Sequence, residues 1–227
     1  MSKLVFAIFA HPDDESFGPS GTLLMEARSG AKVHLISLTA GESGVNPGNH
    51  PDLKAIRLNE WNDAGQLIGA SGLHYLEFAD GLLNNADMQT ASEAISKIVC
   101  HEYAKHDNPT VEFITNDLNG ITGHIDHIVA GRAACLSFYR LKDAGLNMAK
   151  VRLACLSRDE APNINTDWLY MERGRTGSEV DETVDATEHH DTILQIIRAH
   201  KSQRNDGEMH IRRRGDKLGL DHFLVLK

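Results

Sequence analysis

The sequence predicts an α/β fold with a Rossmann-like, mainly parallel sheet and helices on both of its faces. Short apolar runs alternate with helical patterns along the chain, and this alternation is typical of β-α-β units. Polar residues capable of chemistry follow two of the runs directly, which indicates a site at the carboxyl ends of the strands. The runs predicted as strands are residues 4–10, 33–38, 74–78, 111–115 and 151–156, with a closing edge strand at 223–226.

Helices are predicted between these strands from the spacing of apolar residues and from signals at the helix ends. Gly30 and Gly69 follow two of the patterns and are typical helix stops, because glycine readily adopts a left-handed backbone. The tetrapeptide Thr-Ala-Ser-Glu at 90–93 has the form of a capping box and predicts that a helix begins there. The predicted helices are residues 22–29, 53–68, 90–104, 126–141 and 193–199.

No repeat or linker divides the chain, so residues 1–227 are predicted to form one domain. The regular pattern weakens between residues 157 and 191, where acidic side chains accumulate. Two interpretations stay open for this stretch, namely a lid or rim over a site and a solvated surface segment. Trp168 and Tyr170 lie within it, and either stacking on a sugar ring or ordinary packing would use them.

Composition and charge narrow the classes of function. The net charge of −9 argues against a nucleic-acid partner and against an anionic membrane surface. No apolar run approaches the roughly 20 residues of a membrane span, so none is predicted. The three cysteines form no Cys-x-x-Cys pair, which is typical of reduced thiols in a cytoplasmic protein. The oligomeric state stays open, and a homo-oligomer is compatible with the sequence.

Two motifs at predicted strand ends carry the chemistry. His-Pro-Asp-Asp-Glu at 11–15 follows the first strand, and Gly-His-Ile-Asp-His at 123–127 lies beyond the fourth strand and opens a helix. Because the carboxyl ends of parallel strands share one edge of the sheet, we expect the two motifs to lie close together. Two imidazoles and one carboxylate are the usual protein ligands of a catalytic zinc ion, and a further carboxylate and imidazole there can move protons and stabilise an oxyanion.

Each motif alone has a simpler interpretation. The chain contains 13 histidines, so a lone His-x-x-His is often incidental, and Asp13 and Asp14 alone could cap the following helix. Their joint occurrence at two strand ends favours a metal site. Two other functions stay open, a metal-dependent phosphoesterase, for which two metal ions are typical, and a non-catalytic sugar-binding module. The carboxylate of Asp13 argues against the module, because loss of a group able to move protons is the simplest route to inactivity.

Residues 10–15, Ala-His-Pro-Asp-Asp-Glu, resemble the signature of the LmbE-like (PIG-L) family of zinc-dependent N-deacetylases. The resemblance extends along most of the chain, through residues 39–44, 57–69, 80–83 and 200–203. It implies an enzyme, a hydrolase that removes the N-acetyl group from an N-acetylglucosaminyl-type amino sugar or glycoconjugate and releases acetate and a free amine. The implied partner is therefore a small-molecule amino-sugar conjugate.

The resemblance also implies roles for individual residues. It assigns the metal ligands to His11, Asp14 and His127, the general base and later acid to Asp13, the oxyanion donor to His124, and the orienting partner of that histidine to Asp126. Zn²⁺ is the expected cofactor, and Fe²⁺, Mn²⁺ or Co²⁺ are compatible with such ligands.

Arg57 and Asp80 match positions where the family contacts sugar hydroxyls. Two alternatives stay open, because Arg57 could pair with Glu60 on one helix face and Asp80 could simply begin a turn. Two residues depart from the family pattern. Ile125 stands where proline is usual, which is expected to alter the backbone that enters the helix, and Thr122 stands where some members carry tyrosine. The basic run at 212–214 would either meet an anionic substituent or form a solvated patch.

Overall fold

The computed structural model describes residues 2–160 and 172–227 and confirms the predicted α/β fold. The described residues form one sheet from the strands β1 (Lys3–Phe9), β2 (Lys32–Ser37), β3 (Gly72–Tyr75), β4 (Thr110–Asn116), β5 (Met148–Cys155), β6 (Glu182–Asp185) and β7 (Leu220–Leu226). Their order across the sheet is β3-β2-β1-β4-β5-β7-β6. The first five strands pair in parallel, whereas β7 runs antiparallel to both β5 and β6.

The helices in the described part of the chain are α1 (Asp14–Phe17), α2 (Ser20–Arg28), α3 (Leu53–Ile68), α4 (Asn85–Tyr103), α5 (Gly120–Gly123), α6 (Ile125–Asp143), α7 (His190–Ala199) and α8 (Arg204–Arg214). As predicted, α3 ends at Gly69, which has a φ of 84°. Among the described residues, no helix is both long and apolar enough to cross a membrane.

The core lies on both faces of the sheet, which explains why its central strands are continuously apolar. In β1, alternate residues face opposite sides, and six of its seven residues are buried. One face packs against α4 and α6 and the other against α2, α3 and α7. The sheet is therefore covered by helices, and loops at its carboxyl edge are free to carry a site.

The predicted start of α4 was wrong. The capping box is formed by Asn84 and Asp87, so the helix begins at Asn85, ahead of the predicted position 90. The side chain of Asn84 accepts hydrogen bonds from the N–H groups of Ala86 and Asp87, and the Asp87 carboxylate accepts one from the N–H of Asn84. Thr90 lies inside the helix, where its hydroxyl faces the carbonyl of Ala86. Asparagine caps as well as threonine does, so the sequence held two competing start signals.

The carboxyl-terminal third also differs from its prediction. The closing strand β7 is internal to the sheet, because the short β6 pairs with its outer side and forms the edge. β6 reads Glu-Thr-Val-Asp and α8 reads Arg-Asn-Asp-Gly-Glu-Met-His-Ile-Arg-Arg-Arg, so neither presents an apolar periodicity that would predict it. In the stretch 157–191, Ser157 forms a bridge with Arg175. Trp168 and Tyr170 lie outside the described residues.

The strand order brings the two motifs together. β1 and β4 are neighbours in the sheet, and the loops after them carry the first and the second motif. The loops after β2 and β3 carry Gly41 and Asp80 to the same edge. Four consecutive strands therefore contribute residues to one site at the carboxyl edge of the sheet.

Candidate metal centre and active site

The first motif leaves β1 through a strained turn. Asp13 has a φ of 112°, which non-glycine residues rarely adopt and which is typical of functional sites held by their surroundings. The N–H of Asp13 donates to Glu15 Oε2 at 3.2 Å, and its carbonyl accepts hydrogen bonds from the N–H groups of Ser16 and Phe17 at 2.9 and 2.8 Å. The turn and the short helix α1 therefore hold Asp13 and its neighbour Asp14 at the sheet edge.

Donor atoms of three residues meet there, two residues from the first motif and one from the second. His11 Nδ1 lies 3.1 Å from His127 Nε2 and 3.7 Å from Asp14 Oδ2. Asp14 Oδ1 lies 3.2 Å from His127 Nε2. Zinc–ligand bonds of about 2.1 Å place tetrahedral donors about 3.4 Å apart, so these separations fit one ion bound by all three residues.

The second nitrogen of each imidazole faces an acceptor. His127 Nδ1 lies 3.1 Å from the carbonyl oxygen of Gly120, and His11 Nε2 lies 3.0 Å from Asp80 Oδ1 and 3.4 Å from Asp126 Oδ2. Metal-binding histidines usually donate their second N–H in this way, which leaves the other nitrogen as the ligand. Burial disfavours a charged His11, but the hydrogen bonds that its ring donates to Asp126 and Asp80 outweigh burial and raise the pKa of His11 to about 10. The site therefore favours positive charge at this position.

The two aspartates of the first motif differ in their protonation chemistry. Burial raises the pKa of Asp13 to about 6, although the Arg57 guanidinium opposes this shift. Burial acts in the same direction on Asp14, but the charges of His127 and His11 outweigh it and hold the pKa of Asp14 below its usual range. Asp14 is therefore held as a carboxylate anion, whereas Asp13 is suited to exchanging a proton near neutral pH.

His124 lies beside the same cluster and caps helix α6. One ring nitrogen each of His11, His124 and His127 lie within 4.8 Å of one another. His124 Nδ1 accepts a hydrogen bond from the N–H of Asp126 at 3.2 Å, so a neutral ring carries its proton on Nε2. Burial lowers the pKa of His124, which favours the neutral ring. A protonated Nε2 is a donor and not a ligand, which separates His124 from the two histidines that face Asp14.

Arg57 supports Asp13 from below. Its side chain is buried, and Nη2 donates to Asp13 Oδ2 at 2.8 Å and to the carbonyl of Pro12 at 2.6 Å. Nη1 donates to the carbonyl of Gly41 at 2.7 Å. The alternative, in which Arg57 pairs with Glu60, is not observed, because the Glu60 carboxylate accepts hydrogen bonds from Ser202. These contacts make Arg57 a positioning residue, and the predicted sugar contact stays a prediction.

The carboxylates of Asp80 and Asp126 hold the loops of the site. Asp80 Oδ2 accepts from the N–H of Ser43 at 2.7 Å, and Asp126 Oδ2 accepts from the N–H of Gly81 at 2.8 Å. Asp126 was expected to orient His124, and it does contact that ring through its backbone N–H, while its carboxylate lies beside His11. Asp80 was expected to contact sugar, and the structure places it behind the same imidazole of His11.

Comparison with known protein families assigns this chain to a family. The family model "PIG-L: GlcNAc-PI de-N-acetylase" matches residues 6–138, which include both motifs. The chain belongs to the PIG-L family. A probable N-acetyl-alpha-D-glucosaminyl L-malate deacetylase 2 from Bacillus cereus is 26% identical over 208 residues, covering 89% of this chain and 84% of the relative.

Solved structures share the PIG-L fold across different reactions. The N,N'-diacetylchitobiose deacetylase from Pyrococcus horikoshii superposes with a TM-score of 0.68 at 20% identity, covering 99% of this chain and 83% of that one. The 4-carboxy-2-hydroxymuconate hydratase from Pseudomonas putida superposes with a TM-score of 0.70 at 16% identity, covering 100% of this chain and 97% of that one. The fold thus carries deacetylases and a hydratase, and the choice between them has to come from the site.

Ile125 occupies the position where the PIG-L family usually has proline. Helix α6 begins at Ile125, directly after its cap His124, so the residue stands at the first helical position. Proline is favoured there because its fixed φ suits a helix start, but other residues also adopt that φ. Ile125 keeps the helix start and leaves its own side chain 60% exposed beside the site.

Several supporting groups carried no role in the sequence prediction. Behind Asp13, the buried His200 has its Nε2 3.2 Å from Glu15 Oε1 and 2.9 Å from Ser16 Oγ. Glu15 in turn accepts the N–H of Asp13, so this buried pair supports the strained turn. Glu15 and His200 both lie in motifs recognised in the sequence, but only the structure shows that these two distant segments are in contact. The carbonyl of Gly120 gave no signal, because any residue has one.

A cavity of about 290 Å³ adjoins the metal centre. Asp14 and His127 form part of its wall, which otherwise includes the apolar side chains of Phe17, Pro19, Ile121, Leu156 and Met209 and the family departure Thr122. Arg213 and Arg214 also line it. Arg214 is buried and paired with Glu160 at 2.8 Å, so within the basic run 212–214 it is a structural residue and not part of a solvated patch.

Proposed function

We propose that this protein is a metal-dependent N-deacetylase that cleaves the acetamide of an N-acetylglucosaminyl conjugate and releases acetate and a free amine. The observation that carries the proposal is the meeting of His11 Nδ1, Asp14 and His127 Nε2 within 3.1–3.7 Å, with Asp13 and His124 beside them. Membership of the PIG-L family and the deacetylase relative support the same reaction.

The three donors fit a divalent cation, and we propose Zn²⁺ for it. Two neutral imidazoles and one carboxylate are typical catalytic zinc ligands, although Fe²⁺, Mn²⁺ and Co²⁺ accept the same set. When bound, the ion would supply an acidified water and a Lewis acid for the acetamide oxygen. The carboxylates of Asp80 and Asp126 behind His11 strengthen its donor nitrogen, and the carbonyl of Gly120 does the same for His127.

Asp13 would move the proton. Its carboxylate is not among the three donors, and Arg57 Nη2 holds one of its oxygens at 2.8 Å. The pKa of about 6 lets it take a proton from the attacking water and return that proton to the amide nitrogen as the C–N bond breaks. Arg57 keeps the carboxylate in one orientation throughout, which is what a residue used twice in one reaction requires.

His124 would stabilise the oxyanion. Because its Nδ1 accepts the N–H of Asp126, its Nε2 can donate a hydrogen bond to the acetamide oxygen as that atom gains charge. The cap of helix α6 therefore sets the tautomer of the ring before substrate binds. A donor oriented in advance is worth more than one that must reorganise during the reaction.

The substrate class follows from what the similar proteins share. The family description and the two deacetylases name an N-acetylglucosaminyl group with different partners, a phosphatidylinositol, a malate and a second sugar. We propose that the same amino-sugar group binds here and that the cavity beside His127 receives the variable part. The partner is then a small molecule and not a nucleic acid, and the three free cysteines support a cytoplasmic location.

Acetate release from a panel of three compounds tests the proposal. The panel contains N-acetylglucosaminyl malate, N-acetylglucosaminylphosphatidylinositol and diacetylchitobiose, each assayed with protein loaded with Zn²⁺. We expect turnover of at least one compound, and we expect Asp13→Asn to lose about a hundredfold to ten-thousandfold in kcat while retaining its metal. Asp191→Asn on the surface of α7 is the matched control and should leave kcat unchanged.

Three results would contradict the proposal. The first is undiminished turnover in Asp13→Asn, which would show that Asp13 does not carry the proton. The second is phosphate release from phosphomonoesters without acetate release, which would favour the phosphoesterase. The third is hydration of 4-carboxy-2-hydroxymuconate without deacetylation of any compound in the panel.

A further inference from the structure

A second group of two imidazoles and a carboxylate lies on the face of the sheet that α4 covers. His34 is on β2, His74 is on the neighbouring β3, and Glu102 is in the last turn of α4. One ligand atom from each of the three lies within 4.8 Å of the other two. We propose that this group, the distal cluster, is a second metal site that binds Zn²⁺ or another late first-row divalent ion.

The two rings of the distal cluster are held by stacking. His34 pairs with Phe6 in the β1–β2 register, and their rings stack with centroids 5.0 Å apart and planes 19° apart. The ring of His74 stacks on the other side of His34, with centroids 5.5 Å apart and planes 29° apart. The stack keeps the two rings adjacent, and because each nitrogen lone pair lies in the plane of its ring, a shared ion would require the rings to turn from the stacked orientation.

The nitrogens of the two rings already have the spacing of metal ligands. His34 Nδ1 lies 3.3 Å from His74 Nε2, close to the separation of about 3.4 Å expected for tetrahedral donors. His34 is buried, and burial favours the neutral ring, which is the form that binds metals. Two neutral rings and one carboxylate match the ligand set of known catalytic zinc sites.

Gly72 leaves room beside these nitrogens. It pairs with His34 in the β2–β3 register, and a Cβ at Gly72 would lie 2.8 Å from His34 Nδ1 and 3.2 Å from His74 Nε2. Its φ is not positive, so the backbone conformation does not require glycine. The missing side chain therefore keeps open the space that an ion bound to both rings would use.

Glu102 must exchange partners to complete the site. Its Oε2 lies 3.9 Å from His34 Nε2, which is not the ring nitrogen that faces His74, and both of its oxygens accept hydrogen bonds from Lys105 Nζ at 2.8 Å. The carboxylate would therefore have to turn toward His34 Nδ1 to share an ion with both rings. The side chain of Lys105 is half exposed, so its ammonium can return to water at little cost when an ion replaces it. We call His11, Asp14 and His127 the catalytic cluster. The distal cluster should therefore bind a metal ion more weakly than the catalytic cluster does, and water would be the fourth ligand of the distal ion.

Metal content per chain tests the second site. The full-length protein is stripped with a chelator, its thiols are alkylated to exclude binding by the exposed Cys100, and it is dialysed against buffered free Zn²⁺. We expect two zinc ions per chain in the unaltered protein and one in His74→Phe, which keeps an aromatic ring in the stack. Glu102→Gln and Gly72→Ala should also retain one ion, and His101→Ala, a neighbour of Glu102 on α4, should retain two.

The location of the second ion is decided by the catalytic variants. Because the distal cluster is separate from the proposed deacetylase site, His11→Ala should lose the other ion, and His74→Phe should keep the deacetylation rate. Addition of Co²⁺ to His11→Ala should give the visible absorption of a four-coordinate site, and that absorption should vanish in the double variant with His74→Phe. One ion per chain in the unaltered protein at saturating zinc, or two in both His74→Phe and Glu102→Gln, would overturn the proposal.

Discussion

Two clusters in this protein each combine two imidazoles with a carboxylate, and they differ in what surrounds the donor atoms. In the catalytic cluster the second nitrogen of His11 faces carboxylates and that of His127 faces a backbone carbonyl. In the distal cluster the nitrogens of His34 and His74 face each other, and the carboxylate of Glu102 is held by a lysine. The donor types are alike, but only the first set is prepared by acceptors behind its rings.

The comparison teaches that residue type alone does not rank two metal sites. Four carboxylates, those of Asp13, Asp14, Asp80 and Asp126, surround the catalytic cluster, and only Asp13 pairs with the guanidinium of Arg57, so negative charge is in excess. Around the distal cluster one carboxylate and one ammonium balance. Because a divalent cation is attracted to uncompensated carboxylates, we expect the two sites to differ in affinity.

The largest effect on this difference should come from Asp126→Asn. The variant removes one of the carboxylates that face His11 Nε2, at 3.4 Å, while its amide oxygen can still accept the N–H of Gly81. We expect the affinity of the catalytic cluster for Zn²⁺ to fall about tenfold to a hundredfold, as is typical when such a partner is lost. The distal cluster should be unaffected. Competition with a fluorescent chelator measures both constants.

Asp191→Asn is the control for this variant, because it removes one surface carboxylate without touching either cluster. An unchanged zinc affinity in Asp126→Asn would show that the acceptors behind His11 do not explain the difference between the clusters. The rate of deacetylation at saturating zinc is a second measurement. Because Asp126 contacts the His124 ring through its backbone N–H, which asparagine retains, we expect kcat to change little once the metal is in place.

Arg57→Lys is expected to have a smaller effect, on kcat, and to leave the distal cluster unchanged. Lysine keeps the charge but cannot reach Asp13 and the carbonyls of Pro12 and Gly41 together, because it lacks the planar fork of arginine. We expect kcat to fall about tenfold through misorientation of Asp13, with KM and zinc content little changed. Steady-state kinetics on the deacetylation substrate separates the two constants.

The predicted sugar contact would give the opposite pattern for this variant. A guanidinium that binds sugar hydroxyls in the ground state would raise KM and leave kcat nearly constant on substitution. Lys54→Ala, an exposed position on the same helix, controls for a general change in surface charge near the loop. A rise in KM alone would return Arg57 to the substrate-binding role that the sequence predicted.

Much of the fold and the make-up of the site could be predicted from the sequence because both depend on local patterns. The helix stop at Gly69 and the buried strand before His11 follow from backbone preference and apolar runs. The proximity of His11 and His127 follows from strand order, since parallel strands share an edge. What failed had no local signal, as with β6, whose four residues include two carboxylates.

The roles of buried charged residues could not be predicted, because they depend on contacts between distant segments. Arg57 was expected to face the substrate, and only folding shows that three oxygens of neighbouring loops enclose it. His34 and His74 both lie in predicted strands, yet nothing in the sequence places Glu102 beside them. Such pairings are set by the packing of α4 on the sheet and not by spacing along the chain.

The smallest effect should come from Glu102→Gln in the absence of metal. In the distal cluster the buried Glu102 contacts Lys105, whose side chain is half exposed, and ion pairs that solvent reaches contribute about 0.2–1 kcal/mol to folding. We therefore expect the free energy of unfolding in chelator to fall by no more than about 1 kcal/mol. With Zn²⁺ added, the unaltered protein should gain more stability than the variant, which retains only the ion of the catalytic cluster, since binding to the native state alone stabilises it. Urea titrations with and without zinc measure both differences, and Asp87→Asn at the far end of α4 would lose only its capping contact. A loss above about 1.5 kcal/mol in chelator would mean that the Glu102 carboxylate already stabilises the fold as a buried hydrogen-bond acceptor, and the cluster would then be a structural network with no need of an ion.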